Sequence, residues 1–242
     1  MNRYSLLAKL VACSLVALSL SAGATVIDSA YAEVRRTPDL AAGSQYRIAF
    51  VTSGGISATN TDISVYDSFV NGLANGSGSI LAPLGSSWKA IVSTAGADAY
   101  SHIGGAFTIP VYSVDGHLIA SNAADLWDGW LGYQIFTNEK GISGSVNVNT
   151  GTLTDGSRSP HPLGGDPIYN AITGGLAGAT GWSWMVGSFE GKASIRPVYG
   201  ISEALTVGLI PVVPVPVPEP ETYAMMLAGL GLMGFMTRRR KS

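Results

Sequence analysis

The chain has 242 residues, of which 12% are charged and 46% hydrophobic, with 31 glycines, one cysteine and a net charge of −2. A charged fraction about half that of ordinary soluble domains suits an exported, loop-rich protein. It excludes a basic nucleic-acid-binding surface, and a lone cysteine excludes a disulfide framework.

The first predicted element is a secretory signal peptide over residues 1–32. Arg3 and Lys9 form its basic start and Leu10 to Leu20 its apolar run. Cleavage is expected after Ala24 or Ala32, each preceded by a small-x-small pattern. Leu10-Val11-Ala12-Cys13 matches a lipobox in letters, but the apolar run continues past Cys13 instead of ending there. Cys13 leaves with the signal peptide, so thiol nucleophiles and thiolate metal sites are not expected in the mature protein. The Sec-type translocation machinery is the implied first partner.

Residues 33–44 read as a linker, and 45–208 as one exported domain of about 165 residues, enough for a single well-buried core. Between Gln45 and Gly208 there are six basic and eleven acidic residues, a net of −5, so no basic patch is available for polyanions.

Tyr46 to Thr52 predicts a strand from its aromatic and β-branched content. Asn60 or Thr61 then caps a helix whose Ile63, Tyr66, Phe69, Val70 and Leu73 recur at spacings of three and four, until Asn75-Gly76 ends it. Trp88 to Ser93 predicts a second strand. Ile109 to Ala120 predicts two more joined at Asp115-Gly116. Asp125 to Gly129 reads as a tight loop, with turns at Thr154-Asp155-Gly156 and in residues 159–167. Gly181 to Phe189 and Arg196 to Ile201 read as closing strands. On the first of these, Trp182 and Trp184 share a face, so both are expected inside or both outside.

Candidate ligand-binding residues are Asp125, Trp127, Asp128 and Trp130, two carboxylates flanked by tryptophans. Such a set suits an oxygen-rich cation loop or a stacking platform for sugars. His102, His117 and His161 have no metal-ligand spacing, and no nucleophile elbow or phosphate loop is present. No cofactor or metal is expected.

Residues 209–218, LIPVVPVPVP, predict an extended polyproline-like spacer. Residues 219–242 follow as a terminal signal. From Tyr223 to Met236 no residue is charged, and as a helix this stretch spans roughly 21 Å against a hydrocarbon core of about 30 Å. A short membrane helix is therefore expected at 223–237, its extension backwards blocked by Glu219 and Glu221, which are expensive in lipid, and by the prolines at 211, 214, 216, 218 and 220. Arg238, Arg239, Arg240 and Lys241 fix the cytoplasmic side. Both ends are then basic toward the cytoplasm, and everything between them is pushed outward.

Pro218-Glu219-Pro220, a short apolar helix and a terminal basic cluster together resemble the PEP-CTERM protein-sorting signal of exported proteins in Gram-negative bacteria. The resemblance covers residues 217–241. It implies that an exosortase recognises Pro218, Glu219 and Pro220, removes the transient membrane helix, and passes the protein to the cell envelope or extracellular matrix. These three residues are substrate features and not catalytic ones.

A second resemblance covers residues 46–205. A strand, a helix, WKAIVST, IPVYSVDGHLIASNAADLWDG, the TGT stretch within 148–156, a late tryptophan and RPVYGIS resemble the endostatin-like branch of the C-type-lectin-like superfamily. The implied fold is α+β, a small antiparallel sheet carrying long loops. The chain differs in lacking cysteines here, Gly200 standing where one is expected, and in lacking the calcium and sugar motifs of true lectins. An all-β sandwich, with residues 61–73 not helical, is the alternative.

The leading functional expectation is a non-enzymatic surface or matrix protein, processed by an exosortase and associated with extracellular polysaccharide or biofilm. An extracellular polysaccharide hydrolase is the first alternative, and would need two carboxylates about 5 to 9.5 Å apart in a cleft. A structural matrix subunit without a small ligand is the second.

Overall fold

The computed structural model describes residues 40–165 and 170–207. The expected signal peptide, the Pro/Val spacer and the terminal signal lie outside the described residues.

Strand β1 (Gln45–Val51) has six of its seven residues buried and sits at the centre of the larger sheet. Its alternate side chains enter two different cores, which is why the sequence QYRIAFV shows little apolar-polar alternation. Tyr46, Ile48 and Phe50 face one apolar cluster, Ala49 and Val51 the other. The remaining strands of this sheet are β2 (Trp88–Ala90), β3 (Val111–Ser113), β4 (Leu118–Ala120), β8 (Tyr199–Ser202) and β9 (Leu205–Thr206). Their order is β2-β8-β1-β3-β4, with β9 paired to the start of β1. The pair β1–β3 is parallel and the others are antiparallel, so the expected wholly antiparallel sheet is corrected to a mixed one. The β3–β4 hairpin turns at Asp115-Gly116 as its sequence predicts, with Gly116 at φ 86°.

Helix α1 (Ile63–Ala74) covers the first core through Tyr66, Val70 and Ala74. Burying an aliphatic or aromatic side chain of this kind contributes about 1.5–3 kcal/mol. Its cap is Asp62, whose carboxylate accepts from the Ser64 amide at 3.0 Å, and not the expected Asn60 or Thr61. Asn60 acts one step earlier, accepting from the Asp62 amide at 2.9 Å. The helix also closes the sheet edge: Asp67 Oδ1 accepts from the Ala90 amide of β2 at 2.8 Å and lies 2.9 Å from His102 Nε2. Since residues 63–74 are helical, the all-β sandwich does not hold. The close approach of α1 explains Gly200, where a Cβ would lie 2.5 Å from Val70 Cγ1 and 2.6 Å from Phe50 Cε1.

A second sheet, β5-β6-β7, is antiparallel and consists of β5 (Asn147–Asn149), β6 (Ala171–Leu176) and β7 (Ser188–Gly191). The expected strand over 181–189 is corrected. It divides into a 3-10 turn at Trp182–Trp184 and the short strand β7. Trp184 is fully buried and Trp182 is 60% exposed, so the two tryptophans do not share a face. A 3-10 turn separates side chains by about a third of a revolution per residue, which removes the period of two on which the expectation rested.

The TGT stretch stitches the two sheets. Thr150 Oγ1 donates to Met185 O at 2.8 Å, and Thr152 Oγ1 bonds Ser93 Oγ at 2.9 Å. The Ser93 amide donates to Thr150 O at 2.9 Å. These hydroxyls and amides are buried, and such groups are costly unless paired.

Tyr199 gives this core a pH dependence. Its hydroxyl donates to Trp184 O at 3.1 Å, and complete burial pushes the phenol far above the ordinary tyrosine value. Because the folded value lies above the unfolded one near 10, the contribution to stability is complete below about pH 10 and is lost as pH rises through the folded value. Spectrophotometric titration of the native protein should show Tyr199 ionising only as the domain unfolds, with a lagging, protein-wide transition. A smooth titration of all tyrosines near pH 10, superimposable on that of the urea-unfolded chain, would contradict this packing.

Candidate functional site

A third short helix, after α2 (Ala99–His102), is α3 (Ala123–Leu126), and it occupies what reads in sequence as the start of a tight loop. Its capping engages the first candidate. Asn122 Oδ1 accepts from the Asp125 amide at 3.1 Å, while Asp125 Oδ2 accepts from the Ser121 amide at 2.6 Å and the Ser121 hydroxyl at 2.8 Å. This reciprocal arrangement satisfies amides that the helix start leaves open. Asp128 is exposed, and its Oδ1 accepts from the Trp130 amide at 2.8 Å. Both carboxylates thus shape their own backbone.

The two tryptophans beside them differ in burial. Trp127 is 7% exposed and belongs to the core, with its ring centroid 5.8 Å from that of Trp184 and 6.5 Å from that of Tyr100. Trp130 is 66% exposed. The four sequence-selected residues therefore do not form one face.

Trp130 instead meets a segment fifty residues away. The Leu131 amide donates to Thr180 O at 2.6 Å, tying the loop after α3 to the loop before the 3-10 turn. A Cβ at Gly181 would lie 3.2 Å from Trp130 Cζ3 and 3.5 Å from Cη2, so the indole rests on the bare backbone there. The next residue is the exposed Trp182. Two of the five tryptophans are thus brought to one exposed place, while Trp88, Trp127 and Trp184 are buried. Spacing alone did not signal this pairing. The only local hint is Gly181, a residue small enough to let a ring lie over it.

Two clefts flank the loop at 137–144. The larger, about 270 Å³, is lined by Ile80, Val114, Asp115, Thr137, Lys140 and Ser143. The smaller, about 200 Å³, lies against Ser53, Phe136, Asn138 and Ile142. Asp115 Oδ2 accepts from the Tyr133 hydroxyl at 3.3 Å and lies 3.3 Å from His117 Nδ1, and the Tyr133 and His117 rings stack at 4.0 Å. Burial, and then the Asp115 carboxylate, push the Tyr133 phenol above its ordinary value. Glu139 is buried, accepting from the Ser53 amide at 2.9 Å and from the Ser53 hydroxyl. It holds the loop to the end of β1. Neither Asp125 nor Asp128 lines either cleft. Among the described residues no group of three or more His, Cys, Asp or Glu is placed to hold a metal ion.

The sorting residues Pro218, Glu219 and Pro220 and the basic residues Arg238, Arg239, Arg240 and Lys241 lie outside the described residues. Sequence comparison speaks to them directly, because residues 216–241 match the model of the PEP-CTERM protein-sorting motif. The chain carries a PEP-CTERM sorting signal. The match spans the proline-framed glutamate, the apolar run and the basic cluster. A PEP-CTERM protein is exported, is associated with the cell envelope and is a target of exosortase processing. No curated protein matches the chain. Among the described residues, no helix is long and apolar enough to cross a membrane. The expected segment at 223–237 is not among them.

Proposed function

We propose that this PEP-CTERM protein is a non-catalytic binding protein of the bacterial surface or extracellular matrix. Its C-terminal helix anchors it transiently in the inner membrane until an exosortase removes it. Its central domain, C-type-lectin-like in the endostatin-like manner, then attaches to extracellular polysaccharide. The observation that carries this reading is the sorting motif at residues 216–241, which directs the chain to the envelope where such polymers are found.

Several features of the domain support the finer parts. The first strand lies beside the last two, so the ends of the domain meet, and a single long helix follows β1. Long stretches without regular structure, such as 127–146, leave loops free for recognition. The carboxylates that a hydrolase would use, Asp125 and Asp128, are engaged with neighbouring backbone, which favours binding over catalysis.

The test is fractionation of cells producing the full-length protein. The processed form should co-sediment with the extracellular polymer and be released when that polymer is enzymatically digested. A processed protein that stays freely soluble in the presence of the matrix would refute the binding role while leaving the sorting reading intact.

A further inference from the structure

Exposed tryptophan is uncommon because each indole removed from water is strongly favourable, and two brought together on one surface call for an occupant. Trp130 and Trp182 are 66% and 60% exposed, on loops tied by the bond from the Leu131 amide to Thr180 O. Among the described residues neither ring contacts another aromatic ring; one face of the Trp130 ring lies over Gly181, so its outer face and the exposed Trp182 ring are what a ligand can reach. Asp128, exposed beside them, uses Oδ1 for the Trp130 amide and leaves Oδ2 as an acceptor.

We propose that Trp130 and Trp182 form a stacking platform for the sugar rings of a neutral polysaccharide. This deepens the polysaccharide-binding reading given above and rests on it. A pyranose ring presents an apolar C–H face, which stacks on indole, and a rim of hydroxyls, which accept from indole N–H and donate to a carboxylate. Charge selects the class of polymer. The segments 119–131 and 177–187 contain no Lys or Arg, and their charged residues are Asp125 and Asp128. To a uronate or sulfated polymer these two segments offer no cation and two like charges. The platform also stands apart from the folding core, since the tryptophans that pack the interior are other ones.

The experiment compares the full-length exported protein with Trp130→Ala, Trp182→Ala and the double variant. The probes are an insoluble neutral glucan and a soluble uronate polymer, and thermal unfolding is measured alongside. Wild type should bind the glucan and not the uronate. Each single variant should bind it several-fold more weakly, and the double variant at least about tenfold more weakly, with unchanged unfolding temperature. Trp182→Tyr should keep part of the affinity, because a smaller ring still stacks.

A double variant that binds glucan like wild type would overturn the platform while leaving the polysaccharide reading standing. Wild type that binds neither the glucan nor its own matrix would overturn both. Preference for the uronate would overturn the charge argument and with it the proposal. Sedimentation velocity supplies the remaining check: a wild-type dimer that the double variant converts to monomer would assign the surface to a second copy of the chain and overturn the proposal.

Discussion

Replacing Pro218, Glu219 and Pro220 together with alanine is expected to abolish C-terminal processing. The motif that spans these residues is matched as a unit, and its parts divide the physical work. The prolines cannot continue a helix and Glu219 is expensive in lipid, so together they set where a membrane segment starts and hold the recognition residues outside it. Alanines remove the proline block and one of the two glutamates, leaving Glu221, and put helix-favouring residues where the recognition residues stood. The variant should be exported, keep an epitope placed after Ser242, and fractionate with membrane. Neutralising Arg238, Arg239, Arg240 and Lys241 instead should weaken the fixed orientation without touching the recognition residues, giving a mixed population. Loss of the epitope from the alanine variant at the wild-type rate would show that the motif is not what the processing enzyme reads.

Trp184→Ala should be the most damaging single truncation in the domain. The side chain is fully buried, with its ring centroid 5.8 Å from those of both Trp127 and Tyr199. Its carbonyl accepts the Tyr199 hydroxyl, and the same carbonyl oxygen would lie 1.9 Å from a Cβ at Gly175. Truncating a buried Trp costs about 3–5 kcal/mol, set against a total stability of about 5–15 kcal/mol for a typical domain. At about 2–4 °C per kcal/mol for this size, the unfolding temperature should fall by roughly 6–20 °C. Trp182→Ala, two residues earlier, should change stability by no more than about 0.5 kcal/mol. Thermal unfolding of both variants checks the contrast. Equal effects would mean that the two tryptophans share an environment, contrary to the 3-10 turn.

What could be read from the sequence follows from how local each signal is. Helix α1 was legible because its stripe of Ile63, Tyr66, Phe69, Val70 and Leu73 repeats within one segment and meets a single core. The β3–β4 hairpin was legible because Asp115-Gly116 sets its own turn. The sorting signal was legible for the same reason, its three parts being contiguous. Strands β5 and β6 were not. NVN is only three residues long, and the β-branched start of AITGGL runs into two glycines that are set by neighbours far along the chain. A Cβ at Gly174 would lie 2.8 Å from Ser188 Oγ and 2.9 Å from Val148 O. The same limit applies to the candidate site. Asp125, Trp127, Asp128 and Trp130 are adjacent in sequence, yet helix capping and core packing send them to different tasks. The pairing of Trp130 with Trp182 depends on a contact across fifty residues.

Outward transport and trimming at the C-terminal signal leave their mark on the two ends of the protein. Mass spectrometry of the protein recovered from the envelope or matrix reports both ends at once. The predicted result is a chain that begins after Ala24 or Ala32 and ends close to Pro220. An exported chain still carrying residues 221–242 intact would contradict it.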